Sequence, residues 1–305
     1  MSRGAPGADG QDPEADPAGA VDVRLQDALL AWFDAEGRDL PWRHTRDPWA
    51  VLVAEAMLQQ TQVARVVPRW EAFLSAWPTP AACARAPRSD VLRAWQGLGY
   101  NRRARDLHAT ACVIGAEHGG VVPDDLDALL ALPGVGPYTA RALLAFAHER
   151  DVGVLDVNAG RVLSRAVAGE RLTPARAQAL ADAAVPDGRG WAWNQAVLDL
   201  GATTCTRRAP SCPTCPLLAH CAWAGNGPDP AERSAGASGR QSRFEGSDRQ
   251  GRGRLLDALR AAPLPRDAAG AVTGWDDPAR TERVVAGLLA DGLAEVDGPR
   301  LRLPD

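Results

Sequence analysis

The sequence predicts an all-α protein over its first three quarters, and three observations carry that prediction. Apolar residues recur at helical spacing in one segment after another. Almost no alternating strand pattern occurs before Cys221. One stretch, from Leu126 to Asn158, reads as two helical segments flanking the tight turn Leu132-Pro133-Gly134-Val135-Gly136.

Taken in order, Val21 to Glu36 places Val23, Leu25, Leu29, Leu30, Trp32 and Phe33 at helical intervals, with Gly37 as a stop. Leu40-Pro41-Trp42-Arg43 is a non-helical link. Asp47 then caps a helix whose first turn holds Pro48 and whose body is WAVLVAEAMLQQ, with Glu55 in its apolar middle. Further helices are expected at about 63–77, 89–95, 102–118, 159–168, 174–184 and 191–202. Pro78, Pro80, Gly97, Gly99 and the Gly119-Gly120 pair punctuate them. Gly225 to Gly253 is polar and glycine-rich and reads as a linker, with 226–253 as its core. Residues 254–305 give a helix (RLLDALRA), a second helix (DPARTERVVAGLLADGL) and a terminal hairpin, a small C-terminal winged-helix-like module.

The turn at 132–136 has a chemical reading. Its two glycines, Gly134 and Gly136, lack Cβ, so the backbone can bend sharply and come close to a ligand. Pro137 suits the first turn of a helix, and the free N–H groups there can hold a phosphate. Asp156 follows in an apolar setting, Val154-Leu155-Asp156-Val157-Asn158. A phosphate clamp with a carboxylate at a fixed distance behind it suggests chemistry on nucleic acid. A plain structural hairpin has the same local pattern, so the stretch alone leaves both open.

Composition narrows the class. A chain of 305 residues with 46% hydrophobic content can bury a sizeable core in two domains or slightly more. The net charge of −4 excludes a global basic field. There is no lysine, so all 34 basic residues are arginine, the better phosphate fork. Three local groups, Arg102/Arg103/Arg105, Arg161/Arg165 and Arg207/Arg208, form a candidate footprint for nucleic acid. Residues 1–20 are rich in Gly, Ala, Pro and Asp without a signal pattern, which predicts a disordered tail and a cytoplasmic protein. No apolar run approaches the roughly 20 residues needed to cross a bilayer, so no membrane partner is expected.

Cys205, Cys212, Cys215 and Cys221 crowd one loop with the spacing C-x6-C-x2-C-x5-C. A cytosolic chain favours metal over disulfide. Four thiolates suit structural zinc; the unbroken, asymmetric run without a long central spacer suits a cubane iron–sulfur cluster better. Cys83 and Cys112 lie in helical segments and read as core residues.

The hairpin LPGVGPYTA, the later LDVN and the cysteine loop resemble the helix-hairpin-helix DNA glycosylases that carry an iron–sulfur cluster. Within that superfamily, LPWR (40–43), DPW (47–49), EAMLQQTQV (55–63) and LGYNRRA (98–104) look like adenine DNA glycosylases of the MutY type. The match runs from about Leu25 to Trp223. The resemblance implies a two-lobed helix-hairpin-helix fold with a 4Fe–4S cluster held by Cys205, Cys212, Cys215 and Cys221. The domains would be 21–43 with 153–225 around the cluster, and a six-helix domain over 44–152. It implies a monomeric repair enzyme acting on double-stranded DNA with A:8-oxoguanine or A:G mispairs.

Residue roles follow from the same resemblance. Glu55 would protonate the adenine ring and then position water. Asp156 would stabilise the sugar cation or bond to it, with Asn158 orienting both. Tyr138 occupies the place where related bifunctional lyases carry lysine. Gln60, Thr61, Leu98 and Tyr100 would enter or border the duplex beside the lesion, with Gly134 and Gly136 on the backbone. Leu40, Trp42, Arg43 and Gln195 would wall the adenine pocket.

Physical chemistry supports such a division of labour. Adenine is a poor leaving group, and a general acid contributes about 10²–10⁴ in rate. A carboxyl in the VLVAEAML stretch has its charged form disfavoured by desolvation, whereas Asp156, beside arginines and Asn158, is expected to be hydrogen-bonded and charged. The pairing matches glycoside cleavage. The base must also be flipped out of the stack at a cost of a few kcal/mol, and the gap filled. With no lysine, Schiff-base cleavage of the strand is limited to slow reactions through the N-terminal amine. Two features depart from the family pattern. The region after the cysteines is shorter than the usual Nudix-like carboxyl domain, without an evident Phe-Ser-His contact, and Asn101 stands where an aromatic is common. Two alternatives stand beside this reading: a thymine mismatch glycosylase of the same superfamily, and a non-catalytic DNA-binding module.

Overall fold

The computed structural model describes residues 21–232, 234 and 243–305. The expected tail over 1–20 lies outside them, as does part of the expected linker. In chain order the first helices are α1 (Val23–Glu36), α2 (Pro48–Leu58), α3 (Val63–Ala76), α4 (Pro80–Arg85), α5 (Arg88–Ala94), α6 (Arg102–Glu117), α7 (Leu126–Ala131) and α8 (Pro137–Phe146). They are followed by α9 (Val157–Val162), which runs on as a π-helical turn over Leu163–Ala168, then α10 (Pro174–Ala183), α11 (Gly190–Thr203) and α12 (Asp248–Ala261). The chain ends with β1 (Leu264–Pro265), α13 (Ala269–Thr273), α14 (Pro278–Ala290), β2 (Glu295–Asp297) and β3 (Arg300–Arg302). Among the described residues no helix is long and apolar enough to cross a membrane.

Short polar side chains set the helix starts. The carboxylates of Asp22, Asp47, Asp125, Asp156 and Asp277 and the hydroxyls of Thr79 and Thr173 accept backbone N–H bonds at the helices they precede. Each such cap contributes about 1 kcal/mol. Proline at the first helical position follows the cap in α2, α4, α10 and α14.

The chain divides into two compact units. One holds the described residues up to Gly37 and from Gly153 to Ser234; the other holds Arg38–Val152 and the described residues from Arg243 onward. In the first unit α11 packs against α1 and α9. Its core is built from Leu25, Leu29, Val162, Leu163, Trp193 and Leu200.

In the second unit α2 is buried on nearly every side, from Trp49 to Met57. Its neighbours are α3, α6 and α8. Phe73 of α3 sits among the rings of Trp49, Trp77 and Trp95, at centroid distances of 6.4, 4.8 and 6.4 Å. The indole N–H groups are satisfied: Trp49 donates to the Trp77 carbonyl at 2.9 Å and Trp70 to the Ala50 carbonyl at 2.8 Å.

The same unit contains the C-terminal module, whose order α12-β1-α13-α14-β2-β3 is that of a winged helix. Its sheet runs β1-β3-β2, antiparallel throughout, with Leu264 and Val296 both opposite Leu301. Leu255, Leu259, Val285, Leu288 and Leu301 fill its core.

Three boundaries differ from the sequence expectation, each for a physical reason. The segment 38–43 groups with the second unit rather than with the cysteine loop. Trp42 packs edge-on against Trp70 at 6.0 Å, which ties it there. The expected linker is partly structured at both ends. Asp229 is hydrogen-bonded to Arg165 at 2.6 and 2.9 Å, which fixes the chain after the cysteines on the first unit. At the other end α12 starts at Asp248, so Gly251 and Gly253 are helical. Gly251 is there for contact: a Cβ would meet the Trp275 ring at 2.2 Å. A glycine count that reads as flexibility is here a packing device.

Candidate active site and nucleic-acid interface

The residues named from the sequence fall into two sets, one in each unit. In the second unit, Glu55 projects from α2 and is only 6% exposed. A carboxyl at that depth is rare in an ordinary core, since burying it costs free energy unless it is partnered.

The segment leaving α2 carries Gln59, Gln60 and Thr61, and the loop before α6 carries Leu98, Gly99 and Tyr100. Gln60 and Tyr100 are exposed and hold left-handed backbone, with φ of +55° and +47°. Such conformations cost side-chain-bearing residues about 1–2 kcal/mol and persist only where neighbours enforce them. The enforcing neighbour is Arg103. Its guanidinium donates to the carbonyls of Ala56 and Met57 at 2.7 and 2.8 Å, and to those of Leu98 and Gly99, both at 3.0 Å. It also reaches the Thr61 hydroxyl at 3.1 Å, which itself donates to the Leu98 carbonyl at 3.1 Å. One side chain thus joins the end of the Glu55 helix to both loops.

The hairpin turn forms between α7 and α8 as its residues dictate. Leu132 and Val135 are buried, and Gly134 has φ +72°. A Cβ on Gly134 would meet Asp106 Cβ at 2.6 Å, whereas one on Gly136 would meet nothing within 4 Å. The first glycine is demanded by packing. The second leaves open space beside the start of α8, and a helix N-terminus favours an anion. Thr110 donates to the Pro133 carbonyl at 2.6 Å and fixes the turn on α6. Tyr138 is half-buried on the first turn of α8. A cavity behind the turn is lined by Leu52, Ala56, Gln59, Arg103, Asp106 and Thr139, among others. Leu40, Trp42 and Arg43 are all buried in this unit.

In the first unit Asp156 caps α9. Its Oδ1 accepts from the backbone N–H groups of Asn158 and Ala159, both at 2.7 Å, and its Oδ2 accepts from the Asn158 side chain at 3.0 Å. These bonds and Arg161 favour the ionised form, as the sequence led one to expect. Burial outweighs them, and the carboxyl is held above the ordinary Asp range. Arg161 donates to the Asn158 side-chain carbonyl, to the Gly201 carbonyl and to the Cys205 carbonyl at 2.7, 2.6 and 2.6 Å. Gln195, on α11, is buried in this unit.

All four loop cysteines line one cavity, closed by Leu200, Pro210, Leu217, Trp223 and neighbouring atoms. Arg165 donates to Cys205 Sγ at 3.5 Å, and the Ala224 N–H to Cys221 Sγ at 3.2 Å. Burial pushes the Cys215 thiol up to about 11 and raises that of Cys205. Among the described residues, no three His, Cys, Asp or Glu side chains are gathered tightly enough to share a single ion.

The arginine footprint read from the sequence is corrected in part. Arg103, Arg161 and Arg165 turn their donors inward onto carbonyls, sulfur and Asp229, and Arg105 onto Asp106 and the Asp291 carbonyl. Their spacing gave the basic clusters; it could not tell structural guanidinium from a free one. Sequence reasoning missed the stapling role of Arg103, although its setting between QQT and LGY was a signal.

These elements coincide with known proteins. Residues 53–186 match the model of the HhH-GPD superfamily of base excision DNA repair proteins. The chain is 46% identical over 277 residues to an adenine DNA glycosylase of Mycolicibacterium smegmatis, covering 88% of this chain and 91% of that protein. It is 47% identical to one from Mycobacterium tuberculosis, covering 90% and 92%. A human adenine DNA glycosylase matches at 40% over 64% of this chain but 38% of its own. Among solved structures, a thermostable thymine-DNA glycosylase superposes with a TM-score of 0.61 at 28% identity, over 66% of this chain and 95% of that one. An endonuclease III in a trapped DNA complex shares the fold, with a TM-score of 0.59 at 23% identity over 66% and 94%. The chain belongs to the HhH-GPD superfamily of base excision DNA repair proteins and, within it, to the adenine DNA glycosylases.

Proposed function

We propose that this protein removes adenine mispaired with 8-oxoguanine or guanine from double-stranded DNA by hydrolysing the N-glycosidic bond, without cutting the strand. The observation that carries the reading is the 46–47% identity to adenine DNA glycosylases over nearly the whole chain. Glu55 gives a proton to the adenine ring as the bond from C1′ to the base breaks, and water adds to C1′. Asp156, held by Asn158, faces the positive charge that develops on the sugar. Tyr138 stands where a lyase would need an amine nucleophile, and a chain with no lysine cannot supply one from a side chain.

Gln60 and Tyr100, flanked by Thr61 and Leu98, fill the space left by the flipped nucleotide, and the turn at Gly134 and Gly136 holds backbone phosphate. Leu40, Trp42, Arg43 and Gln195 are assigned to the base pocket. Cys205, Cys212, Cys215 and Cys221 would hold a 4Fe–4S cluster: four thiols around one apolar cavity, two of them met by N–H donors, fit that group. When bound, it cross-links the loop and supplies local charge rather than reacting with the base.

The test is base release from A:8-oxoguanine, A:G and T:G duplexes, with and without alkali. Release from the two adenine mispairs, with strand breaks only after alkali, is expected. Release from T:G alone would transfer the reading to the thymine enzymes, towards which the 28% identical fold relative points. Tight binding without an alkali-labile site would make the protein a binding module.

A further inference from the structure

The hydrogen bonds and ion pairs described between the C-terminal module and helices α2–α8 of its unit fall in one short region. Arg260 of α12, its side chain 8% exposed, donates to the Leu92 carbonyl at 2.9 Å and to the Asn101 side-chain carbonyl at 2.7 Å. Arg93 donates back to the Arg260 carbonyl at 3.4 Å. Arg105 donates to the Asp291 carbonyl at 2.5 Å, and Arg102 pairs with the Asp291 carboxylate at 3.0 Å. Every one of these partners lies between positions 92 and 105, the segment that holds Tyr100 in its left-handed conformation.

The charge around the module's last helix is mixed rather than strongly basic. A winged helix ordinarily lays its last helix in the major groove and needs cations there. Here α14 exposes Glu282 beside Arg283 and is preceded by exposed Asp276 and Asp277. Arg280, which could have served, lies over the Trp275 ring at 3.7 Å and pairs with Asp248 at 2.7 Å.

We infer that the module is a positioning element for the Tyr100 loop, and that Arg260 acts on base extrusion through Asn101. The inference rests on the reading of Tyr100 as the residue that enters the duplex. It also gives Asn101 a job: its side chain is turned onto the module and anchors the loop. Arg103 grips the loop from the Glu55 side through the Leu98 and Gly99 carbonyls, while Arg260 grips the next residue from the other. A residue in an unfavourable backbone region needs such over-determination to stay in place. Displacement of a positioned group by about 1 Å can cost on the order of 10²-fold in rate.

The experiment is single-turnover base release on an A:8-oxoguanine duplex, alongside fluorescence of a 2-aminopurine placed next to the adenine to follow extrusion. The full-length variants are Arg260→Met, Asn101→Ala, Tyr100→Ala and their pairs. Asn101→Ala removes the accepting amide from a half-buried residue without altering the module, so it tests the contact even if Arg260→Met weakens the module. Roughly tenfold slower extrusion and release is expected for both single variants, with duplex affinity within about threefold. The Arg260→Met/Asn101→Ala pair should be no slower than either alone. Adding either change to Tyr100→Ala should have no further effect, which general destabilisation would not reproduce. Wild-type extrusion in Asn101→Ala and Arg260→Met, with Tyr100→Ala impaired, overturns the inference and leaves the assigned function standing. Wild-type extrusion in Tyr100→Ala removes its foundation as well.

Discussion

Arg161 donates to the Asn158 side-chain carbonyl at 2.7 Å, and Asn158 passes the constraint on by donating to the Asp156 carboxylate at 3.0 Å. The same guanidinium holds the carbonyl of Cys205 at 2.6 Å. A metal-ligating candidate and a catalytic candidate thus share one rigid fork. Lysine keeps the charge but not the planar spread of donors. Arg161→Lys should lower the rate of base release by about 10–100-fold through misplacement of Asp156. Duplex affinity should change little, because Arg161 spends its donors inside the protein. Single-turnover rates and gel-shift titrations on one preparation check both halves; an unaltered rate would rule out the coupling.

Asp156 supplies a pH prediction with a definite sign. Burial holds its carboxyl above the ordinary Asp range in the folded state. Between the unfolded and folded values, the native protein therefore binds the extra proton. Its contribution makes stability fall as pH rises through that window and level off above it. Asp156→Asn should lose that slope while retaining a helix cap, since asparagine caps as well as aspartate. It should be at least as stable as the parent at neutral pH yet release no base. The role proposed for Asp156 needs the ionised form, so the acid limb of the parent's rate profile should lie above the ordinary Asp range. Denaturant unfolding and base-release rates measured across acid and neutral pH provide the comparison. An Asn variant that is active, or markedly less stable at neutral pH, contradicts it.

The left-handed backbone of Gln60 and Tyr100 sets stability against activity. Glycine takes up positive φ without steric cost. Gln60→Gly and Tyr100→Gly should leave stability unchanged or raise it by up to about 1 kcal/mol, the relief of strain being offset by a more flexible unfolded chain. Base release should fall in both, because the side chain proposed to enter the duplex is gone. Thermal unfolding and single-turnover assays decide it. A clear loss of stability in both variants would show that these side chains hold the loops rather than wait for DNA.

The sequence disclosed this site unevenly, and the reasons are physical. Caps and periodicity revealed α2 and the hairpin, because Asp47-Pro48 and Gly134 act locally. The cysteine spacing is likewise a property of one loop. Two things depended on distant contacts and stayed hidden. Arg103 looked like one member of a basic run, but its role needs carbonyls from the end of α2 and from the Tyr100 loop. Gly251 looked like linker until Trp275 was seen against it. The short β1 and helix α4 are too brief to show a period. Asp156 was expected to be charged by its hydrogen bonds, which are present; the depth of its burial was not readable from neighbours in sequence.

The cysteine cavity yields the last prediction. A 4Fe–4S cluster gives brown protein with about four irons per chain, whereas zinc gives colourless protein with about one metal. Cys212→Ser should bleach the colour, release iron and lower the unfolding temperature. Arg165 should tune the cluster, because it donates to Cys205 Sγ at 3.5 Å while Asp229 fixes its other edge at 2.9 and 2.6 Å. Donors to cluster sulfur stabilise the more negative, reduced state and so raise the potential. Arg165→Met should therefore lower the reduction potential and speed bleaching by oxidants. Asp229→Asn, which loosens the fork without deleting it, should move both in the same direction by less. Voltammetry with metal analysis reads each effect. Stoichiometric zinc in the parent protein would refute the cluster assignment, and an unshifted potential in Arg165→Met would free the sulfur of that arginine's influence.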